Sequence, residues 1–510
     1  MNYADELDIQ LRDTMARRRQ DWRMGAVVYQ VLVDRFAPSA DLEAKRELYP
    51  APKTLHSWDE VPRMGVYLED EQLWSHEIQF WGGDLASLRN KLDHLQSLNV
   101  DVLYLNPIHV GYTNHKYDSL DFAEVSPEFG SREDVIALAE ECHRMGMKLV
   151  LDGVFNHMGQ NAAMFKSAHS DSDSPYRDWF YFGDQYRGGY LAWEDARNLP
   201  ELNLECPAVQ DYIYAGEDSV LQKYLRDGVD GWRLDVAHDI GYRFLKDITD
   251  AAHHAKSDAL VVGEAWCYPT QWVSAMDGLM NFSLRQVVLN LCRGELDPRV
   301  ARDIVNDMLR DCDYEGLLKS WLILDNHDTA RLPNILPASA DRKLAQVLHF
   351  TLPGSPNVYY GSEVGMSGGE DPEMRAPMRW DRVEAGCEDL DWTKRLIALR
   401  QANPALKIGA TRTMAAHRLF AFERYTECVA ESIFVIINPS DSPVSEMLLL
   451  RNAKLMTNRR MDRLLSNENE HAELKVVAGS LQVNLPSKGY MVLRANTDAV
   501  NGYTTFKRVV

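Results

Sequence analysis

Long apolar runs are missing from this sequence, and none reaches the length needed to span a bilayer. Cysteine is sparse: Cys142, Cys206, Cys267, Cys292, Cys312, Cys387 and Cys428 are odd in number, and no two are closely spaced. That pattern argues against both a disulfide framework and a zinc site. Positive charge is also in deficit. With 55 Lys and Arg against 76 Asp and Glu the formal net charge is -21, which argues against nucleic acid and anionic membrane surfaces as partners. Low-complexity tracts and short internal repeats are absent. The stretch Met1–Met24 mixes acids and bases without an apolar core, unlike a secretory signal or a transit peptide, so the expectation is a cytoplasmic chain.

What remains is ordinary globular composition spread over 510 residues, too many for one simple core. Leu7, Leu11 and Met15 fall at helical spacing, and residues 1–25 read as a helical arm packed on the main body. From Ala26 onward, short β-rich apolar segments alternate with longer amphipathic ones. The strand candidates are Ala26–Phe36, Val100–Pro107, Lys148–His157, Gly228–Ala237, Ala259–Trp266, Gly278–Ser283, Ser320–Asp328 and Asn357–Met366. Helical patterns such as Leu85–Leu98 and Ser131–Met145 lie between them, and Ser131 with Asp134 forms an N-terminal capping signal. Eight strand–helix repeats predict a parallel, closed (β/α)8 TIM barrel over residues 26–405. One connection, after the third strand, runs about fifty residues, well beyond the usual length. Residues 158–206 are therefore an inserted subdomain at the barrel's top. Beyond that, residues 406–510 read as a C-terminal antiparallel β-sandwich, with strands expected at Arg418–Tyr425, Glu431–Pro439, Glu446–Arg451 and Leu481–Ala495.

Chemistry in such a barrel sits at the strands' C-terminal ends. Those ends carry Asp152, Asn156 and His157 on the third strand, Arg233 and Asp235 on the fourth, Glu264 on the fifth, and Asn326, His327 and Asp328 on the seventh. A lone Asp there is ordinarily a helix cap, and a lone His a satisfied structural one. Acids recurring behind apolar runs on one shared rim are a different matter, because converging carboxylates shift one another's pKa. Paired carboxyls suit glycoside hydrolysis, whose cationic transition state needs an anion and whose departing oxygen needs a proton. Arg233 lies two residues before Asp235, on the same strand face, where a guanidinium keeps a nucleophilic carboxylate charged and oriented.

The segments LDGVFNH (Leu151–His157), GWRLDVAHD (Gly231–Asp239), VVGEAW (Val261–Trp266) and DNHD (Asp325–Asp328) resemble, in order, the four signature segments of the α-amylase family. LPELN (Leu199–Asn203), FWGGDL, TNHKYD, YYGSEVGM and GGEDPEMRAPMRWD add to the resemblance, which runs from Ala26 to Asn403. It implies a retaining enzyme with Asp235 as nucleophile, Glu264 as acid/base and Asp328 as the carboxylate gripping the sugar ring. It further implies sugar contacts from His115, Tyr117, Asp118, His157, Arg233, His327, Asp371 and Arg375. HKYD, MNF (Met280–Phe282) and GGEDP are similar to cyclomaltodextrinases, neopullulanases and maltogenic amylases. The expected reaction is thus cleavage of α-glucosidic, mainly α-1,4, bonds in short maltodextrins or cyclodextrins, with some transglycosylation. The alternative is an exo-acting α-glucosidase or a transglucosylase using sucrose or another small α-glucoside. His238–Asp239 departs from the Asn–Glu pair of those enzymes. No cofactor is expected to be required. Asn156 matches a calcium-ligand position of classical α-amylases, but the Asp-rich stretch of the insertion lacks ligand spacing, so the expectation is no metal. A carbohydrate is the expected partner, and oligomeric state is left open.

Overall fold

A computed structural model describes residues 3–468 and 473–498. Seven of the eight expected segments contain a strand and the eighth overlaps one that begins two residues earlier: β1 (Val28–Val31), β2 (Val102–Leu105), β3 (Lys148–Gly153), β4 (Gly231–Leu234), β5 (Leu260–Ala265), β6 (Gly278–Asn281), β7 (Trp321–Leu322) and β8 (Ser355–Tyr359). They close into a barrel in sequential order, with β1 hydrogen-bonded to both β2 and β8, and every pairing is parallel.

Successive strand residues point to opposite faces, so the barrel sorts its own sequence into two sets. Tyr29, Leu103, Leu149, Leu151, Trp232 and Val261 face outward into the core beneath the helices. Val28, Val102, Val150, Val262, Met280 and Trp321 face inward and fill the barrel as a separate apolar cluster. Two residues further along the strands, the inward positions become polar: Gln30, Tyr104, Asp152, Arg233 and Glu264 are all buried. The parallel register sets Arg233 directly across from Asp152. An apolar floor therefore lies under a charged layer at the C-terminal mouth.

The helices follow local rules. Arg132–Arg144 begins at Ser131, whose hydroxyl accepts from the Asp134 N–H while the Asp134 carboxylate accepts from the Ser131 N–H, the capping box expected from sequence. The segment expected as one helix over Leu85–Leu98 is two, Leu85–Arg89 and Leu92–Leu98. The break turns Lys91 so that its ammonium lies 4.4 Å from the centre of the Trp380 ring. The N-terminal helix Tyr3–Gln20 buries Met15 against Met24, Leu318 and Ile408; Leu7 lies outside the side chains described.

Sequence periodicity flagged one long connection, but there are two. Between β1 and the helix at Leu85 the chain makes a second excursion, built on two small ribbons (Thr54–Leu55 with Gln79–Phe80, Tyr67–Leu68 with Leu73–Trp74). It has its own small core of Tyr49, Leu73, Ile78 and Phe80. Ribbons of two residues are too short to show a period, which is why this excursion was not legible. The insertion after β3 is held by Phe165 packed on Phe180, Phe182 and Tyr190.

Beyond the barrel, β9 (Ala410–Thr413), β10 (Phe420–Tyr425), β11 (Ile433–Ile437), β13 (Met461–Ser466) and β15 (Tyr490–Ala495) form one antiparallel sheet in the order β9-β10-β11-β15-β13. The second sheet pairs β12 (Val444–Leu449) with β14 (Ser480–Leu485). The expected strand Leu481–Ala495 splits in two around Pro486, whose carbonyl accepts from the Asn438 side chain. Strand β11 is apolar at every position because both faces are covered. Ile433, Val435 and Ile437 join the core shared with the barrel, whereas Phe434 and Ile436 join the core between the two sheets.

Candidate active site

Asp235 immediately follows β4, Glu264 sits near the end of β5, and Asp328 follows β7 in the turn after its strand. Barrel closure brings the first two onto one guanidinium. Arg233 Nη1 donates to Asp235 Oδ1 at 2.7 Å and to Asp152 Oδ1 at 2.8 Å. Its Nη2 lies 2.8 Å from Glu264 Oε2, an ion-pair contact not aligned as a hydrogen bond. Arg233 is fully buried, so these charges interact with little solvent screening. Glu264 also accepts from the Trp266 indole N–H at 2.9 Å and from the Val236 N–H at 3.2 Å. The latter contact requires Val236 at φ 39°, a conformation a β-branched residue resists. At the adjacent Gly263 a Cβ would collide with Met276 and Ala237, so this glycine lets the short helix Ala237–Ile240 close onto β5.

Three carboxyls therefore share one cation. Burial pushes the Asp235 carboxyl well above its ordinary range; Arg233 opposes this, and the negative charges of Glu264 and Asp152 reinforce it. Asp152 is also raised by burial, against the pull of Arg233.

Asp328 lies in the opposite electrostatic situation. Burial pushes it up, but His327, Arg375 and Arg233 outweigh that and hold it well below the usual carboxylate range. His327 Nε2 is 3.0 Å from Asp328 Oδ2, and Arg375 Nη2 is 3.3 Å from Oδ1. Arg375 also reaches Asp371 at 3.2 Å, and His76 meets the other oxygen of Asp371 at 3.1 Å. Burial raises Asp371, but His76 and Arg375 bring it down to about 2.

Tyr117 is a hub. Its hydroxyl is 2.6 Å from His327 Nε2 and 3.0 Å from Asp152 Oδ2, it accepts from Asn106 at 2.9 Å, and its ring stacks on His327 at 5.3 Å. Gln30, on β1, is 2.8 Å from the other nitrogen of His327. His157 differs from these: both ring nitrogens are buried without an aligned partner in the protein. Burial drives its pKa to about 4 despite the nearby Tyr117 backbone, which leaves a neutral imidazole free to bond a ligand hydroxyl.

Asp235, Glu264, Asp328, His115, Tyr117, His157, His327, Asp371 and Arg375 all line one cavity of about 590 Å3, a volume suited to a small ligand. Arg233 lies beneath it. Asp118 does not line it, which corrects the reading of this residue as a sugar contact. Its carboxylate is committed to the backbone N–H groups of Tyr112 and Thr113 and to the Thr113 hydroxyl, and so braces the loop that presents His115 and Tyr117. Sequence reasoning did not find Glu77, Trp193 and Glu194, which also line the cavity. Glu77 comes from the excursion after β1 and pairs with His115 at 3.1 Å, and Trp193 stacks on His157 at 5.6 Å. Both come from irregular chain whose position no periodicity encodes.

Asn156, the calcium-ligand candidate, is buried with its side-chain nitrogen unpartnered, and its backbone carbonyl accepts from the Leu202 N–H. Among the described residues no group of three His, Cys, Asp or Glu side chains is placed to hold a metal ion.

Comparison with known proteins agrees with this geometry. The α-amylase catalytic-domain family model matches residues 30–397. A cyclomaltodextrinase of Thermoanaerobacter pseudethanolicus is 31% identical over 434 residues, covering 82% of this chain and 71% of that protein. Neopullulanase 2 of Thermoactinomyces vulgaris is 31% identical over 442 residues, covering 82% and 70%. Among solved structures, a cyclic α-maltosyl-(1→6)-maltose hydrolase of Arthrobacter globiformis superposes with a TM-score of 0.77 at 26% identity, covering 93% of this chain and 99% of that one. A closed barrel, carboxyls gathered at its mouth and a family match across most of the chain lead to one conclusion: this protein belongs to the α-amylase family of glycoside hydrolases.

Proposed function

We propose that this enzyme hydrolyses α-glucosidic bonds, mainly α-1,4, in short maltodextrins or cyclodextrins by double displacement, with some transfer to sugar acceptors. The observation that carries the reading is the bridge of Arg233 between Asp235 and Glu264. Adjacent nitrogens of one guanidinium hold both carboxyls, which suits the close separation of about 5–5.5 Å typical of retaining enzymes rather than the wider gap that admits a water.

In this mechanism Asp235 attacks the anomeric carbon and Glu264 protonates the departing oxygen, giving a covalent β-glycosyl ester on Asp235. Forming that ester removes a negative charge beside Glu264. The same carboxylate, having given up its proton, then takes one from water or from a sugar hydroxyl in the second step. Asp328, kept ionised by His327 and Arg375, accepts hydrogen bonds from ring hydroxyls and opposes the developing positive charge. Tyr117 underlies the sugar, and His157 supplies unsatisfied nitrogens to it. The names of the similar proteins support the choice of maltodextrin-type substrates.

The test is a chromatographic product profile with maltotriose, a cyclodextrin, pullulan, sucrose and trehalose, sampled early. Prompt cleavage of maltotriose or cyclodextrin, with early transfer products, is expected. Reaction with sucrose alone would refute the substrate assignment while leaving the carboxyl roles in place.

A further inference from the structure

The tip of the insertion after β3 is held in a conformation that its residues resist. Glu194 and Asp195 have φ of 48° and 59°, in the left-handed region, and neither is glycine. The residue just before them provides the restraint. The Trp193 indole N–H donates to Asp239 Oδ2 at 2.9 Å, and the same ring stacks on His157. Asp239 belongs to the short helix Ala237–Ile240 that follows the nucleophile strand, and it does not line the cavity. Glu194 does line it, together with His238 and Trp266. Trp266 donates to Glu264, so this is the side on which the acid meets the departing oxygen. The strained tip thus brings Glu194 to the cavity, and the Trp193–Asp239 bond ties the tip to the helix after β4, alongside the His157 stack and the Trp193 N–H bond to the Leu199 carbonyl.

We infer that Asp239 is a positioning residue that acts through Trp193 to present Glu194 to the leaving-group or acceptor sugar, and that Glu194 is a specificity-determining contact for that sugar. This rests on the glycosidase reading of the site. A carboxylate accepts bonds from two neighbouring hydroxyls, so the ligand class is a neutral sugar with a vicinal diol.

The experiment compares two substrates on the intact chain. Maltotriose places sugar on the leaving-group side, whereas α-glucosyl fluoride places none there. Asp239→Ala is expected to lower the ratio of kcat/KM for maltotriose to that for α-glucosyl fluoride about tenfold. Glu194→Ala is expected to do the same, and the double variant to fall no further, because the two act as a unit. Asp239→Asn, which keeps an oxygen for the Trp193 N–H, is expected to retain the wild-type ratio. Equal loss on both substrates in Asp239→Ala, an unchanged ratio, or a double variant that multiplies the two single effects would overturn the inference. Wild-type enzyme that turns over neither substrate would overturn the glycosidase reading, and this inference with it.

Discussion

Replacing Arg233 with lysine tests the central electrostatic argument, because it keeps the charge and removes the geometry. The guanidinium reaches Asp235, Asp152 and Glu264 from two nitrogens at 2.7–2.8 Å, with the side chain fully buried. A single ammonium cannot span both sides of that arrangement, so at least one charged contact is lost. Losing one charge-assisted contact costs about 1.5–3 kcal/mol. If that loss falls on the transition state, kcat/KM drops by about 10- to 150-fold. The pH dependence has a definite sign. Burial raises the Asp235 carboxyl and Arg233 opposes the rise, so weakening that contact moves its pKa further up. The nucleophile works only when ionised, and the acid limb of the kcat/KM profile therefore moves to higher pH. Initial rates on maltotriose across pH, with a thermal melt to verify folding, measure both effects. A folded Arg233→Lys enzyme with wild-type kcat/KM and an unmoved acid limb would refute the reasoning.

Other substitutions probe the remaining roles. Asp235→Asn keeps volume and removes the nucleophile, so turnover should vanish while the melting temperature holds; measurable wild-type-like turnover would strike Asp235 from its role. Glu264→Gln should slow poor leaving groups most, as read from a series of aryl glucosides of differing leaving-group pKa, and equal slowing across the series would exclude the acid role. Tyr117→Ala should weaken sugar binding by about 1–3 kcal/mol, measured calorimetrically in the Asp235→Asn background, since it removes the ring and also the 2.6 Å partner of His327. Glu128 is raised by burial but brought to about 2 by Lys116 and Lys53, from an ordinary 4.5. Its folded pKa is depressed, so its contribution of about 3 kcal/mol is full above pH 4.5 and is lost as pH falls toward the folded value. Glu128→Gln should therefore melt lower than wild type at neutral pH, with a gap that narrows on acidification, and a gap independent of pH would argue against the ion cluster.

Much of the fold was legible because regular elements carry a period. The alternation of inward Val28, Val102 and Val150 with outward Tyr29, Leu103 and Leu149 is written in the chain, and so is the Ser131–Asp134 cap. Strands β9 and β13 were not foreseen. Their sequences, ATRT and MDRLLS, are short and half polar, and their pairing across the sheet makes them strands.

The same division runs through the site. Sequence by itself determined the chemistry available: which strands end in Asp235, Glu264 and Asp328, and that Arg233 faces the same way as its neighbour two residues on, because strand geometry is local and fixed by stereochemistry. Only tertiary structure decided how those groups are used. Closure of the barrel set Asp152 beside Arg233 and made three carboxyls share one cation, and folding of the loop turned Asp118 from a sugar contact into a brace. Two irregular excursions, whose positions depend on packing rather than on period, delivered Glu77, Trp193 and Glu194 to the cavity. Contacts between distant segments depend on where the rest of the chain packs, and no local pattern carries that information.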